Sequence, residues 1–371
     1  MPNFHWWKTP KGPQPHEQVY STRRADAVLF MLCKNDQLWD AARSVREIED
    51  RFNHVYHYPY VFLNEVSFTS EFRYVISMIA SSKVEFGVIP RDHWYQPEWI
   101  DEAKATLSRH AMVSEDVIYG GSVSYRNMCR FNSGFFFRHP LMQRYKWYWR
   151  IEPGVHFHCD IQFDPFLFMQ DNNKTYAFTI SMVEFERTIP TLWNHIRDFV
   201  GLHPEYIAEG NALEFISDDG GESYNLCHFW SNFEIANMEF WRGEAYASFF
   251  DYLESKGGFY YEVYDRSSSS FTSQFTVMTH RDGVTPPFIQ LLPRCFLRAI
   301  KYNFLTKSVM NMRPLRTAQN MTIGRRADAP AIHSTTSVRH FKRVVRARKM
   351  LTILELHQIS MASHVSTNFY V

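Results

Sequence analysis

Six consecutive apolar residues, Ala27-Val28-Leu29-Phe30-Met31-Leu32, precede a helix-spaced set at Leu38, Ala42, Val45, Ile48 and Phe52, and a second apolar run covers Tyr60 to Leu63. A short unbroken apolar run suits a strand buried on both faces, and a period near 3.6 suits a helix laid over it. Strand, helix and strand in this order form a β-α-β unit, which demands a parallel pair joined by a crossover. The predicted fold class is therefore α/β, an open, largely parallel sheet with helices on its faces. Asn35 or Asp36 can cap the helix. Ligands of such sheets bind beyond the carboxyl ends of the strands, where Lys34-Asn35 and Asn64-Glu65 fall, although on sequence alone ordinary loop and cap roles are the better reading of these residues.

No glycine-rich phosphate loop follows the first strand. A nucleotide bound there needs another source of positive charge, such as a divalent metal held by carboxylates. The segment Trp149-Arg150-Ile151-Glu152-Pro153 offers one, because it sets an Arg and a Glu two apart among aromatic residues. Buried charges of this kind are paired, or bound to a ligand or metal.

Further along, Tyr176 to Phe185 reads as a strand with Glu184 and Glu186 at its end, and a helix is predicted from near Thr191. The stretch from Asp92 to His110 reads as helical. Ser217-Asp218-Asp219-Gly220-Gly221-Glu222 is a turn. Glu234 lies among Phe229, Trp230, Phe233 and Ile235, a setting that suits either a ligand contact or a structural pair with an Arg. On a strand, His156 and His158 would share a face, but no further His/Cys cluster stands at zinc-ligand spacing.

With 371 residues and 17% aromatic side chains, the chain can build a large core. No stretch approaches the apolar length of a membrane span, and the first residues lack the apolar run of a signal peptide. The five cysteines have no CxxC spacing, and sequons at Asn173 and Asn320 permit glycosylation. The near-neutral total hides a split. Residues 263–371 carry 16 Lys and Arg against 4 Asp and Glu, whereas residues 1–262 carry 24 against 35. With a Pro- and Trp-rich start that has no periodicity, this predicts a stem or linker over 1–25, a separate unit over 26–262 and a basic C-terminal region over 263–371 of different character. Within that region HFKRVVRARKM lacks any nucleic-acid-binding fold signature, so a solvated face is expected and no nucleic-acid partner.

The blocks LWDAARSVREIEDRFN, YVFLNE, YGGSVSYRNMCRFNSGFFFRHPLM, YWRIEP, SDDGGESYNLCHFWSNFEI and GGFYYE stand in one order across residues 26–262. Together they resemble the fungal α-1,2-mannosyltransferases of the Kre2/Mnt1 type, glycosyltransferase family 15. The resemblance implies a GT-A-type glycosyltransferase with a single Rossmann-like mixed sheet flanked by helices. It implies a retaining enzyme that moves mannose from GDP-mannose to a mannose-terminated glycoprotein glycan in α-1,2 linkage, with Mn²⁺. Glu152 would be the metal ligand, with Arg150 beside the donor. Tyr125 would match a tyrosine needed for activity, Glu184 a sugar-site carboxylate, and Glu234 either the covalent nucleophile or a shield for the cationic sugar. A Golgi-lumen location is implied, with membrane contact only through an N-terminal anchor absent from this sequence.

After Glu262 the resemblance stops. Arg326-Ala327-Asp328-Ala329-Pro330-Ala331-Ile332-His333-Ser334 resembles a block expected directly after it, so 263–325 reads as an insertion and Asp328 as a donor-site residue. No tail histidine matches the family's histidine metal ligand. A catalytically impaired, glycosyltransferase-like binding protein is therefore the alternative reading. A glycoside hydrolase, which also uses paired carboxylates, would act without nucleotide or metal.

Overall fold

A computed structural model describes residues 23–117, 119–179 and 181–262, together with 275–276 and 278–279. Among the described residues eight strands form, namely β1 (Ala27–Leu32), β2 (Tyr60–Asn64), β3 (Val84–Val88), β4 (Trp147–Ile151), β5 (Tyr176–Phe178), β6 (Ser181–Val183), β7 (Cys227–Phe229) and β8 (Phe233–Asn237). Six of them make one sheet in the order β3-β2-β1-β4-β8-β5, while β6 and β7 pair separately. The first four are parallel; β8 runs antiparallel to both β4 and β5. The expected α/β class with a mixed, helix-flanked sheet is thus observed, with a small second sheet beside it.

Every residue of β1, β2 and β4 is buried, as unbroken apolar runs require. The period of two divides their side chains between two helical layers. Val28, Phe30, Leu32, Val61, Leu63 and Tyr148 join the cluster that includes Cys129 and Phe131, on helix α4 (Val123–Gly134), and Phe249 and Phe250, on α7 (Glu244–Ser255). On the other side, α1 (Leu38–Ile48) buries Leu38, Ala41, Ala42, Val45 and Ile48 and packs against α2 (Ser70–Ile79). There Phe62 meets Phe72 edge-on at 6.0 Å, and Trp149 meets Phe52 at 5.4 Å. The remaining longer helices are α3 (Glu102–Ser114), α5 (Pro165–Asp171) and α6 (Leu192–Leu202), the last starting next to Thr191 as expected. Among the described residues no helix is long and apolar enough to cross a membrane.

Two elements differ from expectation. The predicted helix from Asp92 to His110 is interrupted: a single turn at Arg91–Trp94 ends, and α3 begins only at Glu102. Pro97 lacks a backbone donor and disfavours helical geometry at Gln96, and the Asp101 carboxylate caps the new helix through Lys104 N at 3.1 Å. The predicted strand from Tyr176 to Phe185 is two strands in two sheets. Tyr176 and Phe178 pair with β8, whereas Ser181 to Val183, with Ser181 and Val183 exposed, pair with β7.

Close packing makes one glycine position sensitive. A Cβ on Gly134 would stand 2.1 Å from Cζ of the fully buried Phe250. Gly134→Ala gains roughly 1 kcal/mol of helix propensity but forces overpacking that costs about 1–3 kcal/mol. At that distance repulsion wins, so a lower urea midpoint with an unchanged m-value is expected.

Candidate active site

The chain passes from β1 to β2 and β3 on one side, then re-enters on the other side of β1 as β4. This is a topological switch point, and the crevice beyond the carboxyl ends of β1 and β4 is where open α/β sheets bind ligands. Lys34 and Asn35 follow β1 there, and Glu152 and Pro153 follow β4.

Register brings the charged residues together. Arg150 pairs with Glu234 across β4 and β8, and Glu234 pairs with Phe178 of β5. Arg150, Glu152 and Glu234 are each no more than 5% exposed. Arg150 Nε stands 3.3 Å from Glu234 Oε1 and 3.9 Å from Glu152 Oε1. Glu234 also accepts hydrogen bonds from a tyrosine two residues along each neighbouring strand, Tyr148 Oη to Oε1 at 2.8 Å and Tyr176 Oη to Oε2 at 2.9 Å. Burial opposes the Arg150 charge, but Glu234 and then Glu152 outweigh it and hold its pKa above the ordinary guanidinium value. Burial, reinforced by Glu234, pushes the pKa of Tyr148 and Tyr176 well up, so both phenols remain donors at neutral pH.

The turn that carries Glu152 is fixed from α1. Gly154 N donates to Ser44 Oγ at 3.0 Å, and Ser44 Oγ donates to Val155 O at 2.9 Å. Gly154 has φ +81°, a conformation strained for residues with a Cβ. Across the crevice, Lys34 Nζ donates to Ser124 Oγ at 3.0 Å, tying the start of α4 to the end of β1. Ser122 Oγ caps that helix by accepting from Tyr125 N, and the Tyr125 ring stacks on Tyr119 at 4.6 Å.

Glu184 follows β6 and is buried, with Oε1 accepting from Phe185 N at 2.8 Å and Oε2 4.0 Å from His228 Nδ1. Phe178 and Phe229 stack at 3.9 Å, which docks the small sheet on β5 beside Glu234. Glu186 is exposed in a short 3-10 turn. His156 and His158 lie outside any strand, and His156 pairs with Glu47 at 2.8 Å. Asp328 lies outside the described residues. Among the described residues no group of three or more His, Cys, Asp or Glu could hold a metal ion. Sequence reasoning missed Ser44, Tyr148, Tyr176 and His228. Tyr148 carried a signal, since it shares a strand face with Arg150.

The family described as Glycolipid 2-alpha-mannosyltransferase matches residues 6–281, well over half of the chain. The chain belongs to this mannosyltransferase family. It is 55% identical over 243 residues to Alpha-1,2 mannosyltransferase KTR1 of Saccharomyces cerevisiae, an alignment covering 66% of this chain and 62% of that protein. To Glycolipid 2-alpha-mannosyltransferase 2 of Candida albicans it is 53% identical, over 68% of this chain and 53% of that one. The chain thus spans less than two thirds of the length of these family members. Among solved structures it resembles the mannosyltransferase Ktr4p of S. cerevisiae in complex with GDP, with TM-score 0.67 and 37% identity over 70% of this chain and 68% of that one. It likewise resembles core-mannan synthase A of Aspergillus fumigatus in its Mn/GDP form, with TM-score 0.67 and 33% identity over 74% and 77%. Both family structures support the GT-A-type assignment of the fold.

Proposed function

We propose that this chain is a retaining glycosyltransferase that moves mannose from GDP-mannose to a mannose-terminated glycoprotein glycan in α-1,2 linkage, with Mn²⁺, in the Golgi lumen. The observation that carries the reading is the buried Arg150–Glu152–Glu234 group at the switch point of a chain in this family. The GDP and Mn/GDP forms of the two similar structures support the donor and the metal.

Breaking a sugar–phosphate bond develops cationic character on the sugar and negative charge on the departing diphosphate. Arg150 supplies fixed positive charge on the diphosphate side. Glu152 presents hard carboxylate oxygens suited to a divalent ion, and a site with one protein carboxylate fits an ion that draws its other ligands from phosphate and water. When bound, the metal would act as Lewis acid and template for the diphosphate. Tyr125, on a helix start tied to β1, would line the donor, and Glu184 would accept sugar hydroxyls. Glu234 is engaged by Arg150 and two tyrosine hydroxyls, which favours a shielding and positioning role over covalent attack.

The direct test of the donor reading is GDP binding by calorimetry. Binding in Mn²⁺ that falls at least about tenfold in EDTA is expected, and equal affinity in both would contradict the metal assignment. A second reading, a donor-binding protein without transfer, draws on the finding that among the described residues no group of three or more His, Cys, Asp or Glu could hold a metal ion. Manganese-dependent binding of GDP-mannose without transfer would establish it.

A further inference from the structure

A groove of about 710 Å³ lies between the 91–99 segment and the C-terminal part of α7, and none of the site residues described above lines it. Its volume falls in the roughly 300–1,000 Å³ range of small-ligand sites. Tyr95 and Trp99 line it while 41% and 52% exposed, an unusual outlay of aromatic surface for a segment this short.

The groove is built on a buried cation. Arg130, 5% exposed, donates from Nε to Glu254 and from Nη1 to Asp92 O at 3.1 Å, and its guanidinium lies 4.3 Å from the Phe135 ring centroid. These contacts join the segment to α4 and α7, so the walls are preorganised for a ligand. One face of Tyr95 is covered by the Arg91 guanidinium at 4.7 Å. The polar wall carries Asp92, Glu98 and Asp251.

This chemistry selects its ligand class. With Glu254, four carboxylates face two guanidinium groups, which disfavours a phosphate or nucleotide. Aromatic faces suit the C–H face of a pyranose, and carboxylates accept from its hydroxyls. We propose that the groove is a second glycan-binding site, one that holds a mannose unit of the acceptor away from the reacting end. The identity of the sugar rests on the proposed function; the site itself rests on the groove.

The test uses the full chain with ¹⁵N-labelled tryptophan, the Trp99 indole signal being identified by its loss in Trp99→Phe. Titration with α-1,2-mannotriose is expected to move that signal, and maltotriose to move it less. Trp99→Ala is expected to raise KM for a mannopentaose acceptor about fivefold, the equivalent of about 1 kcal/mol of lost stacking, while α-methyl mannoside kinetics stay unchanged. An unmoved Trp99 signal, an equal response to maltotriose, or unchanged KM for the long acceptor overturns the proposal. If wild-type protein transfers to neither acceptor, the proposed function fails instead, and the Trp99 signal still decides the groove.

Discussion

Glu152→Gln is expected to lower transfer at least about a thousandfold, because the amide removes the charged oxygen proposed to hold Mn²⁺ against the diphosphate. The substitution keeps the side-chain volume. Arg150 retains Glu234, the nearer of its two carboxylates at 3.3 Å against 3.9 Å, so the fold should survive with its thermal midpoint within a few degrees of wild type. Calorimetry should show GDP affinity in Mn²⁺ falling with activity. Near-normal turnover in saturating manganese would remove Glu152 from the metal site.

Glu234→Gln should have a comparable effect on kcat by a different route. The carboxylate joins two tyrosine hydroxyls and Arg150 in a setting from which water is excluded. Removing one partner of a buried ion pair costs about 3–5 kcal/mol of stability, so a clear drop in denaturation midpoint is expected. Without that charge, Arg150 loses its nearer counter-ion and the sugar cation its shield, and kcat should fall about 10²–10³-fold. Donor affinity should change little, because the proposed metal ligand is untouched. Glu234→Ala with added azide separates the two roles. A shield yields no β-mannosyl azide, whereas a displaced nucleophile leaves room for azide to attack the same face. A loss confined to KM would contradict both roles.

Much of the frame was legible because β1, β2 and β4 are buried on both faces and so read as unbroken apolar runs. Arg150 and Glu152 stood out for the same reason, as charges within such a run. Their arrangement with Glu234 was not legible, since it depends on β8 entering antiparallel beside β4, and local sequence carries no mark of that pairing. The division of Tyr176 to Phe185 was hidden too, because two different partners, β8 and β7, decide where one strand stops and the next begins. Ser44 looked like any polar residue of a helix, and only its contact with the Gly154 turn gives it a role. The resemblance supplied the donor, the metal and the linkage. The geometry added Tyr148, Tyr176 and the reason to read Glu234 as held in place.

The most direct measurement is transfer of radiolabelled mannose from GDP-mannose to α-methyl mannoside in Mn²⁺, with EDTA as control and the anomeric configuration of the product read by NMR. An α-1,2-linked disaccharide formed only with the metal is the predicted result. Hydrolysis of a mannoside without nucleotide, or no transfer despite manganese-dependent GDP-mannose binding, would contradict it.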